Sequence, residues 1–202
     1  MSRELSNPLQ ALILGAAKSL PAQSGETDRF KARISGAGQG VVILADVSSS
    51  MAEKAGGRSK SEILREALDS VWGELPGPTL IGFGSTASTV TRPDRLPAPN
   101  GGTAMHLALD AAATHRPAKT LVISDGQPDS EEAALAAAER LGGVIDVIYC
   151  GPDSDQTAID FMRRLARLGC GRVVIRDVVR DSRPGLAAPV RSMLGLPTPT
   201  RS

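Results

Sequence analysis

A chain of 202 residues is long enough for one domain with a sizeable aliphatic core, and no internal repeat is visible. Lys and Arg total 23 against 22 Asp and Glu, a formal net charge of +1, so no strong field of either sign favours nucleic acid or an anionic membrane surface. Aromatic residues make up 2% of the chain and are scattered, too few for the stacking platforms of single-strand nucleic-acid binders.

In chain order, Leu5, Leu9, Leu12, Ile13, Ala16 and Leu20 recur at helical spacing and predict an amphipathic helix within residues 1–29, followed by a polar linker from Pro21 to Asp28. Glu4, Gln10 and Lys18 spoil this segment as a targeting leader, and no run approaches the ~18 apolar residues of a membrane span. A cytoplasmic protein is the expectation. Two cysteines, Cys150 and Cys170, do not make a disulfide framework and are expected as free thiols.

A domain is expected over residues 30–180. Phe30 to Ser35 alternates like a short strand, and Gly36 to Gly40 reads as a turn. Val41 to Ala45 is a continuous apolar run, as in a strand buried on both faces of a parallel sheet. From Ser59 to Leu75, Ile63, Leu64, Ala67, Leu68, Val71, Trp72 and Leu75 share one helical face, and Ser59 with Glu62 has capping-box spacing. Strands are predicted at Thr79 to Phe83, Ser88 to Thr91, Thr120 to Ser124, Val144 to Cys150 and Arg172 to Arg176. Helices are predicted at Thr103 to His115, at Ser130 to Leu141 capped by Asp129, and at Ser154 to Leu168. Residues 181–202 form an expected C-terminal extension, a short helix near Leu186 to Leu194 and a mobile tail.

This alternation predicts a three-layer α/β/α, Rossmann-like fold with a mainly parallel central sheet of order 3-2-1-4-5-6, one antiparallel edge strand, and helices on both faces. Ligands bind such sheets outside the carboxyl ends of the strands, where the strand order reverses. Asp46-Val47-Ser48-Ser49-Ser50 follows the first strand directly, so alternate residues turn three oxygens toward one point. Asp125 ends a second buried strand, and Gly126 is expected to let the backbone leave that strand tightly. Alone, a serine run after an aspartate is as readily a turn or a helix cap.

Together with Gly101-Gly102-Thr103 opening a helix and Ser124-Asp125-Gly126, the Asp-x-Ser-x-Ser motif at 46–50 resembles the complete metal-ion-dependent adhesion site of von Willebrand factor A domains. The resemblance extends from about Phe30 to Arg176 in element order. It implies that the Ser48 and Ser50 hydroxyls bind a cation directly, that Asp46 and Asp125 hold it largely through water, and that Thr103 is direct or water-mediated depending on state. Five hard oxygen donors without a His or Cys cluster favour Mg2+, or Mn2+ as a close substitute, over zinc, while Ca2+ prefers more carboxylates. The resemblance further implies a stand-alone bacterial module whose ion captures an Asp or Glu of a protein partner, and places such proteins beside a MoxR-type AAA+ ATPase or in stress-response and defence gene clusters.

Residues expected on the partner-binding rim are Met51, Glu53, Lys54, Asn100, Gln127 and Asp129, and the stretch from Lys54 to Lys60 reads as a flexible, weakly basic rim rather than a phosphate loop. Removing Asp46 or Asp125 is expected to spare the fold, since two carboxylates at one site repel. The rival readings are a metal-independent scaffold binding through its termini, and a serine hydrolase. The second lacks a Gly-x-Ser-x-Gly elbow and has two histidines, His106 and His115, neither placed beside a serine by any motif, so the chain is not expected to be an enzyme.

Overall fold

The computed structural model describes residues 33, 38, 40–180 and 185–198. Six strands form the central sheet: β1 (Val41–Asp46), β4 (Thr79–Phe83), β5 (Ala87–Val90), β6 (Lys119–Ser124), β7 (Val144–Tyr149) and β8 (Cys170–Ile175). Their order is β5-β4-β1-β6-β7-β8, which in chain order of these six is the expected 3-2-1-4-5-6. Only β5 runs antiparallel, at the edge against β4. A two-stranded hairpin, β2 (Lys54–Ala55) and β3 (Arg58–Ser59), stands apart from the sheet.

Period-two alternation along the strands divides the core. Val42 and Leu44 of β1 join Ile81, Phe83, Val122 and Val147 on one face, beneath α2 (Met105–Thr114), α3 (Glu131–Arg140) and α4 (Gln156–Leu168). Ile43 and Ala45 face the other way with Leu80, Leu121, Ile123 and Ile148, beneath α1 (Lys60–Trp72) and α5 (Ala187–Leu194). The apolar stripe read from the sequence of α1 is buried as expected at Ile63, Leu64, Ala67, Leu68 and Val71. The helix starts at the predicted capping box: Ser59 Oγ accepts from the Glu62 amide, and the Glu62 carboxylate accepts from the Ser59 amide at 2.6 Å.

Two expectations are corrected. Ser130, not Asp129, caps α3, its Oγ accepting from the Ala133 amide, because Asp129 turns its carboxylate to another loop. Arg33 is helical rather than extended. Its guanidinium donates to the carbonyls of Ala138, Leu141 and Gly143, which satisfies acceptors in the last turn of α3 and just beyond it. The remainder of the strand expected at 30–35 lies outside the described residues, as do the helix and linker expected at 1–29 and residues 199–202 of the tail.

The short helix expected near Leu186 to Leu194 is present as α5. Helix α5 is no appendage, because Leu186, Val190 and Met193 are fully buried against α1 and the sheet. Polar contacts fix it at both flanks: Arg191 grips Glu74 through two 2.8 Å hydrogen bonds, and Lys119 Nζ donates to the Met193 carbonyl. Among the described residues no helix is long and apolar enough to cross a membrane. Both cysteines are free, Cys150 in the core and Cys170 half-buried.

Three large side chains leave the core with α5, each worth about 1.5–3 kcal/mol of burial. A chain ending at Arg180 is therefore expected to lose at least about 5 kcal/mol in urea unfolding relative to one ending at Thr198, and unchanged midpoints would show α5 to be dispensable.

Candidate metal centre

Strands β1 and β6 lie side by side and parallel, with Ala45 opposite Ile123, so their carboxyl ends finish at the same edge of the sheet. β1 also pairs with β4 on its other side, and the chain direction of strand addition reverses there. Asp46, the last residue of β1, and Asp125, the first after β6, therefore meet across one crevice, 0% and 4% exposed. The arrangement follows from the two apolar runs preceding them, which bury each strand up to its final residue.

Asp46 is held at both oxygens. Oδ1 accepts from the Ser48 amide at 2.7 Å, and Oδ2 accepts from Ser124 Oγ at 2.5 Å. The first bond tightens the loop so that Ser48 Oγ and Ser50 Oγ lie 3.1 Å apart, and Ser50 Oγ donates to Asp125 Oδ1 at 2.7 Å. Ser48 is buried while Ser50 is exposed, so this chain of hydroxyls runs from the crevice to solvent.

The loop carrying Thr103 is tied to the same turn. The Asn100 amide donates to the Val47 carbonyl at 2.8 Å, and the Ser49 amide and hydroxyl both donate to the Gly101 carbonyl. Thr103 itself is 9% exposed; its amide donates to Asp129 Oδ1, and its carbonyl accepts from the Asp129 amide. A Cβ on Gly102 would stand 2.7 Å from an Asp129 carboxylate oxygen, so glycine there is the condition for this clasp. Gly126 has open space where a Cβ would go, contrary to the expectation of a forced exit; the close approach is at Gly151, whose Cβ would strike the Asp125 carbonyl.

All five expected ligand residues thus belong to one cluster of loops at the sheet edge. The expected rim divides. Met51 is 0% exposed and packs in the core beneath α1, which removes it from any partner-binding surface. Glu53, Lys54, Asn100, Gln127 and Asp129 are exposed, although Asp129 is already committed to the Thr103 backbone.

Two residues of the site were given no role in the sequence reading. Ser124 orients Asp46, and its position at the end of β6 beside the end of β1 was the available signal. Lys60 is the greater surprise: assigned above to a flexible rim, it is 1% exposed at the start of α1. Its Nζ donates to Asp125 Oδ2 at 2.8 Å and lies 2.6 Å from Glu53 Oε2. The available signal was its spacing, three and four residues before Ile63 and Leu64 on the buried face of α1; its partner 65 residues away had none.

Burial opposes the Lys60 ammonium, but hydrogen bonds and charges from Asp125 and Glu53 outweigh it and hold the group above the ordinary lysine value. Asp46 has no such counter-ion. Burial pushes its carboxyl up to about 6, only partly offset by its bonds to Ser124 and Ser48, with the Asp125 charge adding to the rise. A divalent cation would relieve this carboxylate as a proton does, and two carboxylates plus three hydroxyls are a hard donor set that fits Mg2+ or Mn2+. Among the described residues no group of three His, Cys, Asp or Glu side chains could hold a metal, so hydroxyls would have to supply part of the shell.

Two outcomes follow. A carboxyl raised in the folded state contributes stability fully present below its unfolded value of 3.8 and lost as pH rises through about 6. In EDTA, wild type should therefore lose up to about 3 kcal/mol relative to Asp46→Asn between pH 4 and 7, read as a difference of urea unfolding free energies; a flat difference would contradict the burial argument. Asp125→Ala, expected from the sequence to spare the fold, should instead cost about 3 kcal/mol because it strands the buried Lys60 ammonium. Equal stability of wild type and Asp125→Ala in EDTA would show that Glu53 and water suffice to solvate it.

No protein-family model matches the chain, and no curated protein resembles it in sequence. Solved structures do resemble it in fold. A von Willebrand factor type A protein from Catenulispora acidiphila is 22% identical, with a TM-score of 0.61 over 78% of this chain and 42% of that one. An aerotolerance-related membrane protein from Bacteroides fragilis NCTC 9343, with multiple mutations to serines, is 18% identical with a TM-score of 0.57. The conserved hypothetical protein BatB from Bacteroides thetaiotaomicron is 20% identical with the same TM-score, and each match covers 78% of this chain and 98% of the other. With its sheet order, antiparallel edge and helical layers, the chain has the von Willebrand factor A fold.

Proposed function

We propose that this protein is a non-catalytic interaction module that binds a divalent cation, Mg2+ or Mn2+ before Ca2+, at Asp46, Ser48, Ser50, Thr103 and Asp125, and uses it to grip an Asp or Glu of a partner protein. The observation that carries the reading is the continuous line of oxygens from Asp125 through Ser50 to Ser48, beside the buried Asp46, at the reversal point of the sheet. Ser48 and Ser50 would ligate the ion, with Asp46 and Asp125 supplying charge and Thr103 closing the shell from its loop. The ion would supply a Lewis-acidic position for a carboxylate, reached past the exposed Ser50.

Hydrolysis is disfavoured by the same geometry. Among the described residues no histidine hydrogen-bonds Ser48 or Ser50, whose hydroxyls are engaged with each other and with Asp125. The partner would read the ion together with the exposed rim of Glu53, Lys54, Asn100 and Gln127. A MoxR-type AAA+ ATPase, or a client in a stress-response or defence setting, is the partner class suggested by the resemblance to cytoplasmic bacterial proteins of this fold.

Isothermal titration should give a single Mg2+ or Mn2+ site that disappears in Ser48→Ala/Ser50→Ala, whose buried carboxylates and Lys60 are untouched. Partner capture from the native host should then need Mg2+ and fail equally in EDTA and in the double variant. Capture indifferent to both treatments would leave a metal-independent scaffold.

A further inference from the structure

Lys60 is a cation already inside the site proposed for a cation. Its ammonium is shut from water and bonded to the carboxylate expected to serve the ion, and it is brought there by construction. The Lys60 amide donates to the Glu53 carbonyl at 2.9 Å, the β2–β3 hairpin turns the chain back between the two residues, and the capping box fixes α1 at the next step. Met51, buried two residues before Glu53, anchors the other limb. The side chain therefore cannot leave without unpacking the start of α1.

Two consequences follow for Asp125. Its oxygens are divided, Oδ1 on Ser50 and Oδ2 on Lys60, so one oxygen faces the hydroxyl line and the other is committed. Its charge is also already answered. Asp46 and Asp125 alone would neutralise a divalent ion, but with Lys60 the buried groups sum to one negative charge, and a loaded site would keep one positive charge. Glu53, with a side chain 53% exposed, answers part of that excess from the rim, where solvent weakens it.

We propose that Lys60 is a positioning residue that sets the charge of the cation site, weakening the hold on the ion alone and reserving a net positive charge for an incoming carboxylate, with Glu53 as its counterweight. This rests on the cation-binding reading above. Ion and acidic ligand then bind cooperatively, each completing the charge balance for the other.

The test is Mn2+ affinity of the full chain, with and without saturating acetate as the carboxylate probe, for wild type, Lys60→Met, Lys60→Arg and Glu53→Gln. A unit charge one carboxylate away from a divalent ion is worth about tenfold in affinity even at a water-like dielectric. Lys60→Met should bind Mn2+ at least about tenfold more tightly and lose the enhancement by acetate; Lys60→Arg should behave as wild type; Glu53→Gln should bind Mn2+ more weakly, with a larger acetate enhancement. Unchanged or weaker Mn2+ binding by folded Lys60→Met overturns the proposal while leaving the cation site standing. If Lys60→Met does not fold, Glu53→Gln decides, and an unchanged affinity there overturns it equally. Absence of Mn2+ binding by every variant, wild type included, removes the cation-binding reading itself.

Discussion

Two aspartates buried at the ends of adjacent parallel strands are the constraint around which this molecule is organised. A carboxylate withdrawn from water must be answered by hydrogen bonds, by a cation or by a proton, and Asp46 and Asp125 are answered differently. Asp46 receives an amide and a hydroxyl and still rises to about 6, whereas Asp125 receives a hydroxyl and an ammonium. The loops at this sheet edge are shaped by those demands. The turn after β1 closes on Asp46, the Thr103 loop is stapled to that turn, and α1 begins where its lysine meets Asp125.

The rest of the fold supplies rigidity at that edge. β1 and β6 are held between neighbours on both sides and covered on both faces, so the aspartates stand at the ends of the two central, fully packed strands. Asp129 extends the same logic by fixing the Thr103 backbone from the loop after Asp125, which ties the spacing of two loops to one carboxylate. Glu53, Lys54, Asn100 and Gln127 are left at the perimeter, where exposure permits variation without disturbing the core.

A buried lysine bonded to Asp125 gives the proposed cation site a built-in reference charge. Such an arrangement separates folding from ion binding: the protein need not be loaded for Asp125 to be oriented, and Asp46 is the group whose ionisation an ion would chiefly favour. On the proposed reading, affinity for the ion and affinity for an acidic ligand become linked quantities through Lys60, which contacts Asp125 and Glu53.

The sequence by itself determined the layered fold, the strand order and the place of both aspartates. Period-two and helical spacing report which face of an element is buried, and the polar residue ending an apolar run marks the strand's carboxyl end. It determined the capping box of α1 for the same reason, since that device spans four residues. Tertiary structure alone decided the fate of Lys60, whose partner is 65 residues distant, of Met51, drawn from an expected rim into the core, and of α5, whose apolar residues join a face built by α1 and the sheet. It also decided that Asp129 clasps the Thr103 loop rather than capping α3. In each case the deciding interaction lies between segments far apart in the chain, and local spacing carries no information about which distant carboxylate, carbonyl or apolar face will be waiting.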